Sequence, residues 1–427
     1  MEQNQSNKKL WNYLYFQWFL MLFRPELLIS HFIPALNFLR VVPTILLYFL
    51  FIIWLFSEQK RDTYYLFGIF IVVILISSLF AENTGRARIV AYTLIELYLL
   101  SLVTINILKS KEMIEKIFNL YQIYFLYVAI GGIIGFLMTG RGIVTWDWVL
   151  AEEDAFGPLM CMGTGFSLYY AMARDKDSLK YLSMIAIILC MLGVVLSFAR
   201  GAFLVLISIF LLFLYRYERR TKAIIILCSL SLVIYISASI VYPNNVFWEE
   251  IITSTEGFKS GTGHDRKVLW SLAWEEFKDN PIIGVGPNNY GVVSERYLDR
   301  IEDKGHYRVG AMYGRALHNG FLQILCELGI LGFALFSLLL VDFYTSNRGI
   351  RRYVGHMKNI TNINLKPYYL SLGLDIGLFA FILNAIIYDI IFYNWLWIVL
   401  VLNRSLTFII QDDRDDLIKL SQSNGTY

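Results

Sequence analysis

Apolar runs of membrane-crossing length recur along this chain, and they constrain its fold more than any motif in it. A spanning helix needs about 20 mostly apolar residues to cross a hydrocarbon core of about 30 Å. Eleven such runs lie near residues 41–57, 64–81, 88–108, 117–138, 155–173, 181–198, 201–215, 223–242, 318–345, 368–388 and 390–410. Residues 10–23 are also apolar, but Arg24, Pro25 and Glu26 close them and no small-residue cleavage site follows. We read that stretch as a twelfth span or an interfacial helix, not as a removable signal peptide. Only 17% of the 427 residues are charged, against roughly a quarter in a soluble domain. The expected fold is therefore all-α: one integral membrane domain over residues 1–427, with about 11–12 transmembrane helices.

Orientation follows from the loops, because Lys and Arg accumulate on the cytoplasmic side. One alternate set of loops holds 17 basic residues: Lys60, Arg61, Lys109, Lys111, Lys116, Arg174, Lys176, Lys180, Arg216, Arg219, Arg220, Lys222, Arg348, Arg351, Arg352, Lys358 and Lys366. The opposite set holds Arg86, Arg88, Arg141 and Arg200. The first set is expected inside, which puts the C-terminus inside and the long loop 243–316 outside. Two features of the outer side stand out. Residues 181–216 would run about 54 Å as one helix, so the chain must turn back near Ser197-Phe198-Ala199-Arg200-Gly201, placing one arginine at a tight outer turn. In the long loop, Trp270, Trp274 and Phe277 recur at helical spacing with Glu275, Glu276 and Lys278 elsewhere. We expect an amphipathic helix there, lying on the outer membrane surface. Asn280-Pro281 ends it, and Gly284-Val285-Gly286-Pro287-Asn288-Asn289 is turn chemistry.

Charge and cysteine usage exclude other classes. A net charge of +3 is too balanced for a nucleic-acid partner. Cys161, Cys190, Cys228 and Cys326 all fall in apolar runs, without the spacing of a metal site.

Three segments then resemble one family, the O-antigen ligase and polysaccharide polymerase superfamily of bacterial membrane proteins. They are Ser197-Phe198-Ala199-Arg200-Gly201-Ala202-Phe203; Asp265-Arg266 leading to Leu269-Trp270, with residues 280–290 beyond; and His318-Asn319-Gly320-Phe321-Leu322 opening a span that continues through Glu327-Leu328-Gly329. Their order, spacing and intervening loop match over about residues 195–335. The resemblance implies a GT-C-like membrane glycosyltransferase of the cytoplasmic membrane, with its active site facing outside. Its donor would be an undecaprenyl-diphosphate-linked glycan, and its acceptor hydroxyl would belong to another glycan or a cell-envelope molecule. It also implies that no metal or other cofactor is needed, and that the functional residues are Arg200, Arg266 and His318.

The chemistry of these residues agrees. Breaking a glycosyl diphosphate bond builds positive charge at the anomeric carbon and negative charge on the departing diphosphate, which calls for fixed cations. The planar guanidinium fork suits phosphate oxygens better than an ammonium does. By position alone, Arg200 reads as a snorkelling anchor and Arg266 as a solvated charge; the motif context reverses both readings. His318 opens a helix at the same side, where the positive helix end favours the neutral imidazole that a general base requires. A helix-capping role is the alternative. His264 and His306 sit in a turn and a charged loop and are weaker candidates.

Other residues read less specifically. Glu96 and Asp375 lie inside apolar runs, where an ionisable group is functional by default, either as a bundle partner or as a lining of the glycan groove. Asp147, Glu152, Glu153 and Asp154 read as a solvated loop rim. Trp146, Tyr307 and Tyr313 have the chemistry to stack on sugars or to belong to an interfacial belt, and the basic inner loops, Arg351 and Arg352 included, are explained by topology. We favour a surface polysaccharide polymerase over a ligase joining finished glycan to an envelope acceptor. The rival from another class is a transporter or flippase of the same lipid-linked glycan, against which stands the absence of paired broken-helix halves.

Overall fold

The computed structural model describes residues 2–56, 63–108, 110–217, 220–241, 261–305, 307, 310, 312–358 and 365–423. Lys60, Arg61, Lys109, Arg219, His306 and residues 243–260 of the long loop lie outside the described residues. Among the described residues there is no strand, and the protein is an all-helical polytopic membrane protein. Fourteen longer helices follow in order: α1 (Glu2–Phe23), α2 (Pro25–Phe32), α3 (Val42–Leu55), α4 (Tyr65–Leu79), α5 (Thr84–Ile107), α6 (Lys111–Thr139), α7 (Glu153–Ala173), α8 (Ser178–Leu196), α9 (Arg200–Arg216), α10 (Arg220–Val241), α11 (Gly261–Asp279), α12 (Gly320–Lys358), α13 (Lys366–Ala385) and α14 (Asn394–Ser423).

Each expected span falls on one of these helices, and among the described residues seven meet a strict test of length and apolarity: Pro34–Leu55, Thr84–Ile107, Lys111–Thr139, Ser178–Leu196, Gly320–Lys358, Lys366–Ala385 and Asn394–Arg414. Of the others, α4 and α9 are shorter, at 15 and 17 residues, and α7 is built from small residues. Its Gly157, Gly163, Thr164, Gly165 and Ser167 are buried, and it packs chiefly on α13 and α8. A helix enclosed by other helices needs small residues for close approach more than it needs apolar bulk. The stretch 10–23 belongs to α1, which rests on α3, α5 and α6 with Leu14 and Trp18 fully buried. Trp18 donates its indole N–H to Thr104 Oγ1 at 3.0 Å.

A charged group deep in the bundle is paired, as burial of charge demands. Asp375 on α13 lies 2.9 Å from Arg351 and 3.3 Å from Arg216, and accepts from Asn347 at 2.9 Å. Asp375 is thus a bundle partner. Arg351, expected to serve topology alone, instead turns inward to meet it.

The long loop builds a second, smaller core on the bundle. Val268, Leu269, Leu272 and Ala273 of α11 pack with Tyr290, Val293, Tyr297 and Leu298. The expected helix is present, and two of its three aromatics, Trp270 and Phe277, pack partly buried against this core, while Trp274 is 48% exposed and Glu276 is fully buried. The aromatic spacing was a sound signal for a helix.

The turn chemistry after α11 has a specific task. Gly329 interrupts α12 with φ 64° and ψ −167°, a conformation open to glycine, and a Cβ there would lie 2.3 Å from the Ile282 backbone. The backbone groups freed by the break are paired by residues 281–286. Val285 and Gly286 donate to the carbonyls of Cys326 and Glu327 at 3.0 and 2.9 Å, while Ile330 and Leu331 donate to those of Pro281 and Ile282 at 2.9 and 3.3 Å. The Glu327 carboxylate accepts from the N–H groups of Asn288 and Tyr290 at 2.7 and 3.0 Å. The loop is thereby fastened to α12 along both sides of the kink.

Candidate active site

Three helices begin at one end of the bundle: α7 at Glu153, α9 at Arg200 and α12 at Gly320. The turn between α8 and α9 forms where expected. Phe198 takes a left-handed φ of 57°, and the Ser197 hydroxyl accepts the Ala199 N–H at 3.3 Å while donating to the Val194 carbonyl at 2.8 Å. Arg200 is then the first residue of α9. A cation is disfavoured at the positive end of a helix unless an anion accompanies it, and the unpaired N–H groups of a first turn are themselves anion ligands.

The segment ahead of α12 is held by a residue that the sequence reading passed over. Asp389, partly buried in the turn between α13 and α14, accepts the Leu317 N–H at 2.5 Å and the Asn319 N–H at 2.8 Å. Between them His318 adopts a left-handed φ of 55°, a strained conformation for a side chain with a Cβ. The capping alternative is answered by its neighbour. Asn319 Oδ1 accepts from Phe321 N and Leu322 N at 3.1 and 3.0 Å, so His318 is left to face the site. Burial raises the Asp389 carboxyl above the usual carboxylate range, against the opposing pull of His318 and of the backbone N–H groups.

His318 also meets α7. Its Nδ1 lies 4.0 Å from Asp154 Oδ2, with the imidazole about one-third exposed. Loss of surrounding water raises the Asp154 carboxyl, opposed first by His318 and then by Arg266 on α11. Asp154, half exposed on the rim where it was expected, is also part of the cluster. Tyr388 closes it: a Cβ on Gly201 would come within 2.8 Å of the Tyr388 hydroxyl, and Asp154 and Arg266 both act on Tyr388 electrostatically. Elements carrying Arg200, Arg266 and His318 thus meet around Asp154 and the Tyr388-Asp389 pair. An acid in the short turn between two spans, at the same end as His318, was the signal available for Asp389.

The remaining candidates separate. His264 pairs with Asp303 at 2.8 Å. Trp146 donates to the Tyr127 hydroxyl at 2.9 Å, Tyr307 is buried in the loop core, and Tyr313 lies under Arg86 at 5.1 Å. Glu153 pairs with Arg141 at 3.6 Å, whereas Asp147 is buried and faces Arg24 at 3.6 Å. Glu96 accepts from Thr44 Oγ1 at 2.6 Å. Among the described residues no group of three or more His, Cys, Asp or Glu is placed to hold a metal ion.

Comparison with known proteins bears on this same region. Residues 185–337 match the family model described as O-Antigen ligase, a segment that contains Arg200, Arg266 and His318. Over 86 residues, 20% of this chain, the sequence is 29% identical to the exopolysaccharide production protein ExoQ of Rhizobium meliloti (strain 1021). The match spans about a fifth of that relative, 19% of its length. The resemblance drawn from the three motifs to an O-antigen ligase-like family holds.

Proposed function

We propose that this protein is a membrane glycosyltransferase that moves a glycan from an undecaprenyl-diphosphate carrier to an acceptor hydroxyl, by one inverting displacement, at the outer face of the bacterial cytoplasmic membrane. The observation that carries this reading is the cluster itself: a histidine set between two carboxylates, meeting arginine-bearing elements where three helices begin. Arg200 and Arg266 bind the donor diphosphate and neutralise the charge it gains on leaving. His318 removes the acceptor proton as the hydroxyl oxygen bonds to the anomeric carbon and the bond to the diphosphate breaks. Asp154 stabilises the imidazolium so formed, and Asp389 positions the histidine through its backbone. The loop 243–316, through α11, covers the site from outside, and the reaction needs no metal or other cofactor.

Within this class we favour a surface polysaccharide polymerase, whose acceptor is a second lipid-linked repeat. The name of the matched relative, an exopolysaccharide production protein, supports polymer synthesis. A ligase would use the same groups with an envelope acceptor. Against a transporter stands the gathering of the functional groups at one end of the bundle, where a mid-membrane site between repeats would be required.

The test is to mix protein purified in detergent with lipid-linked repeat units and measure the length of the lipid-linked glycan. Lengthening by wild type, unaffected by EDTA and absent in His318→Ala, is the expected result. Repeats of unchanged length, with transfer to an added envelope acceptor lipid, would instead select the ligase. No transfer of either kind would overturn the enzyme reading.

A further inference from the structure

On the far side of the Leu317 and Asp389 contact lies a cavity of about 370 Å³ that neither Arg200, Arg266 nor His318 lines. Its volume falls within the range of about 300 to 1,000 Å³ typical of small-molecule sites. It reaches from Asn288 and Arg315 of the loop region down to Thr44 and Glu96 in the bundle. There the chain between α1 and α3 is broken by left-handed Arg24 and by short helical turns.

The lining argues for a neutral polyhydroxylated ligand. Four arginines on the walls face five carboxylates, those of Glu26, Glu96, Asp147, Glu327 and Asp389. Arg24 lies 3.8 Å from Glu26 and 3.6 Å from Asp147, so its charge is answered within the protein. A phosphate brought here would add negative charge beside these acids. Sugar hydroxyls, which both donate and accept, match mixed acids and guanidinium groups. Two lining residues, Glu26 and Gln323, are only 8% and 7% exposed, and one oxygen of each, Oε2 and Oε1, has no hydrogen-bond partner and almost no accessible surface of its own, so a ligand meets it once the side chain turns toward the cavity. Buried acceptors of this kind are normally satisfied by a partner, and hydroxyl donors are what they lack. Trp148 and Tyr393, also on the wall, offer the aromatic faces against which the C–H face of a sugar ring rests.

We infer that this cavity receives the terminal sugar of the acceptor glycan, with Glu26 and Gln323 accepting its hydroxyls and Trp148 and Tyr393 against its ring. The assignment rests on the transferase reading and adds to it a site separate from the diphosphate arginines. Leu317, on the cavity wall, is the chain neighbour of His318, so the base adjoins the cavity. A single displacement needs the attacking hydroxyl and the leaving diphosphate on opposite faces of the anomeric carbon, and separate acceptor and diphosphate sites serve that arrangement.

Two probes test this on the full-length protein in detergent. One is undecaprenyl diphosphate. The other is the oligosaccharide released by mild acid from the lipid-linked repeats of a strain lacking the protein. Gln323→Leu removes an unsatisfied buried oxygen and leaves the fold intact; Trp148 is 64% exposed, so Trp148→Ala spares the core. Each variant is expected to bind the oligosaccharide at least tenfold more weakly than wild type and undecaprenyl diphosphate within twofold of it. Arg200→Lys is expected to show the reverse pattern. Oligosaccharide binding that survives both cavity substitutions, or that is absent in a wild-type protein still binding undecaprenyl diphosphate, overturns the cavity assignment and leaves the transferase reading standing. A wild-type protein that binds neither probe removes both.

Discussion

Removal of the Asp389 carboxylate tests how the site holds its histidine. The two N–H donors of Leu317 and Asn319 lie 2.5 and 2.8 Å from its oxygens, and a hydrogen bond to a charged group contributes about 1.5 to 3 kcal/mol. Together they supply roughly 3 to 6 kcal/mol of restraint. That exceeds the cost of about 1 to 2 kcal/mol for holding a residue with a Cβ in the left-handed conformation, which His318 adopts at φ 55°. In Asp389→Ala the balance reverses, His318 relaxes, and a displacement of about 1 Å at a reacting group costs about 100-fold in rate. We expect kcat on a defined lipid-linked donor to fall about 100-fold in Asp389→Ala, with the donor KM near the wild-type value. Asp389→Asn retains one acceptor oxygen and should lie between the two. Burial raises the folded-state pKa of Asp389, so the native state holds this proton more tightly than the unfolded chain does, and the wild-type stability falls as pH rises through that window. Asparagine never ionises, so the melting deficit that Asp389→Asn incurs by losing one acceptor oxygen should narrow as pH rises, while its turnover stays below wild type. Thermal melting and kcat measured on the same preparations decide the matter. Asp389 variants with kcat within threefold of wild type would refute the clamp.

Arg200→Lys should lose most of the activity at a normal level in the membrane, because an ammonium cannot reproduce the planar fork on a diphosphate; retained turnover would return Arg200 to the role of an interfacial anchor. His318→Asn and His318→Ala should both turn over at least about 100-fold more slowly than wild type, since the helix cap is already provided by Asn319. Near-wild-type turnover of either variant would remove the base. Gly329→Ala places a Cβ 2.3 Å from the Ile282 backbone in a left-handed conformation, so its level in the membrane should fall severalfold, and a normal level would show that the kink tolerates a side chain. In a background with Cys228 replaced by serine, a cysteine at Glu302 should react with a membrane-impermeant thiol reagent in intact cells and one at Arg348 should not; equal labelling would overturn the orientation.

Much of the architecture was legible because a bilayer leaves few choices. The spacing of apolar runs located the helices, and the arithmetic of one overlong run located the turn at Arg200. What escaped the sequence depends on contacts between segments far apart in the chain. The break at Gly329 is stabilised by residues 281–286, more than forty positions earlier, and no local pattern announces it. The aromatic spacing of α11 identified a helix and, in Trp270 and Phe277, part of its inward side, but not the burial of Glu276. Asp154 resembled the acids beside it, and its distinction is a distance of 4.0 Å to a histidine 164 positions away. Arg351 satisfied a topological rule so well that its pairing with Asp375, itself singled out as a bundle partner or groove lining, went unnoticed. The three proposed site residues came from motifs, whereas Asp389 acts through backbone groups and leaves only a faint mark on the sequence.

During synthesis, residues 281–286 leave the ribosome before Gly329 does. The newly made α12 has no reason to bend on its own: bending strands the carbonyls of Cys326 and Glu327 and the N–H groups of Ile330 and Leu331, each at about 1 to 3 kcal/mol when buried without a partner, whereas a straight helix satisfies them internally. The kink is therefore favoured only with the earlier segment docked against it. Bending of the helix and seating of the loop that carries Arg266 are thus coupled. A chain with the segment undocked would be threaded through the membrane and still lack an assembled site.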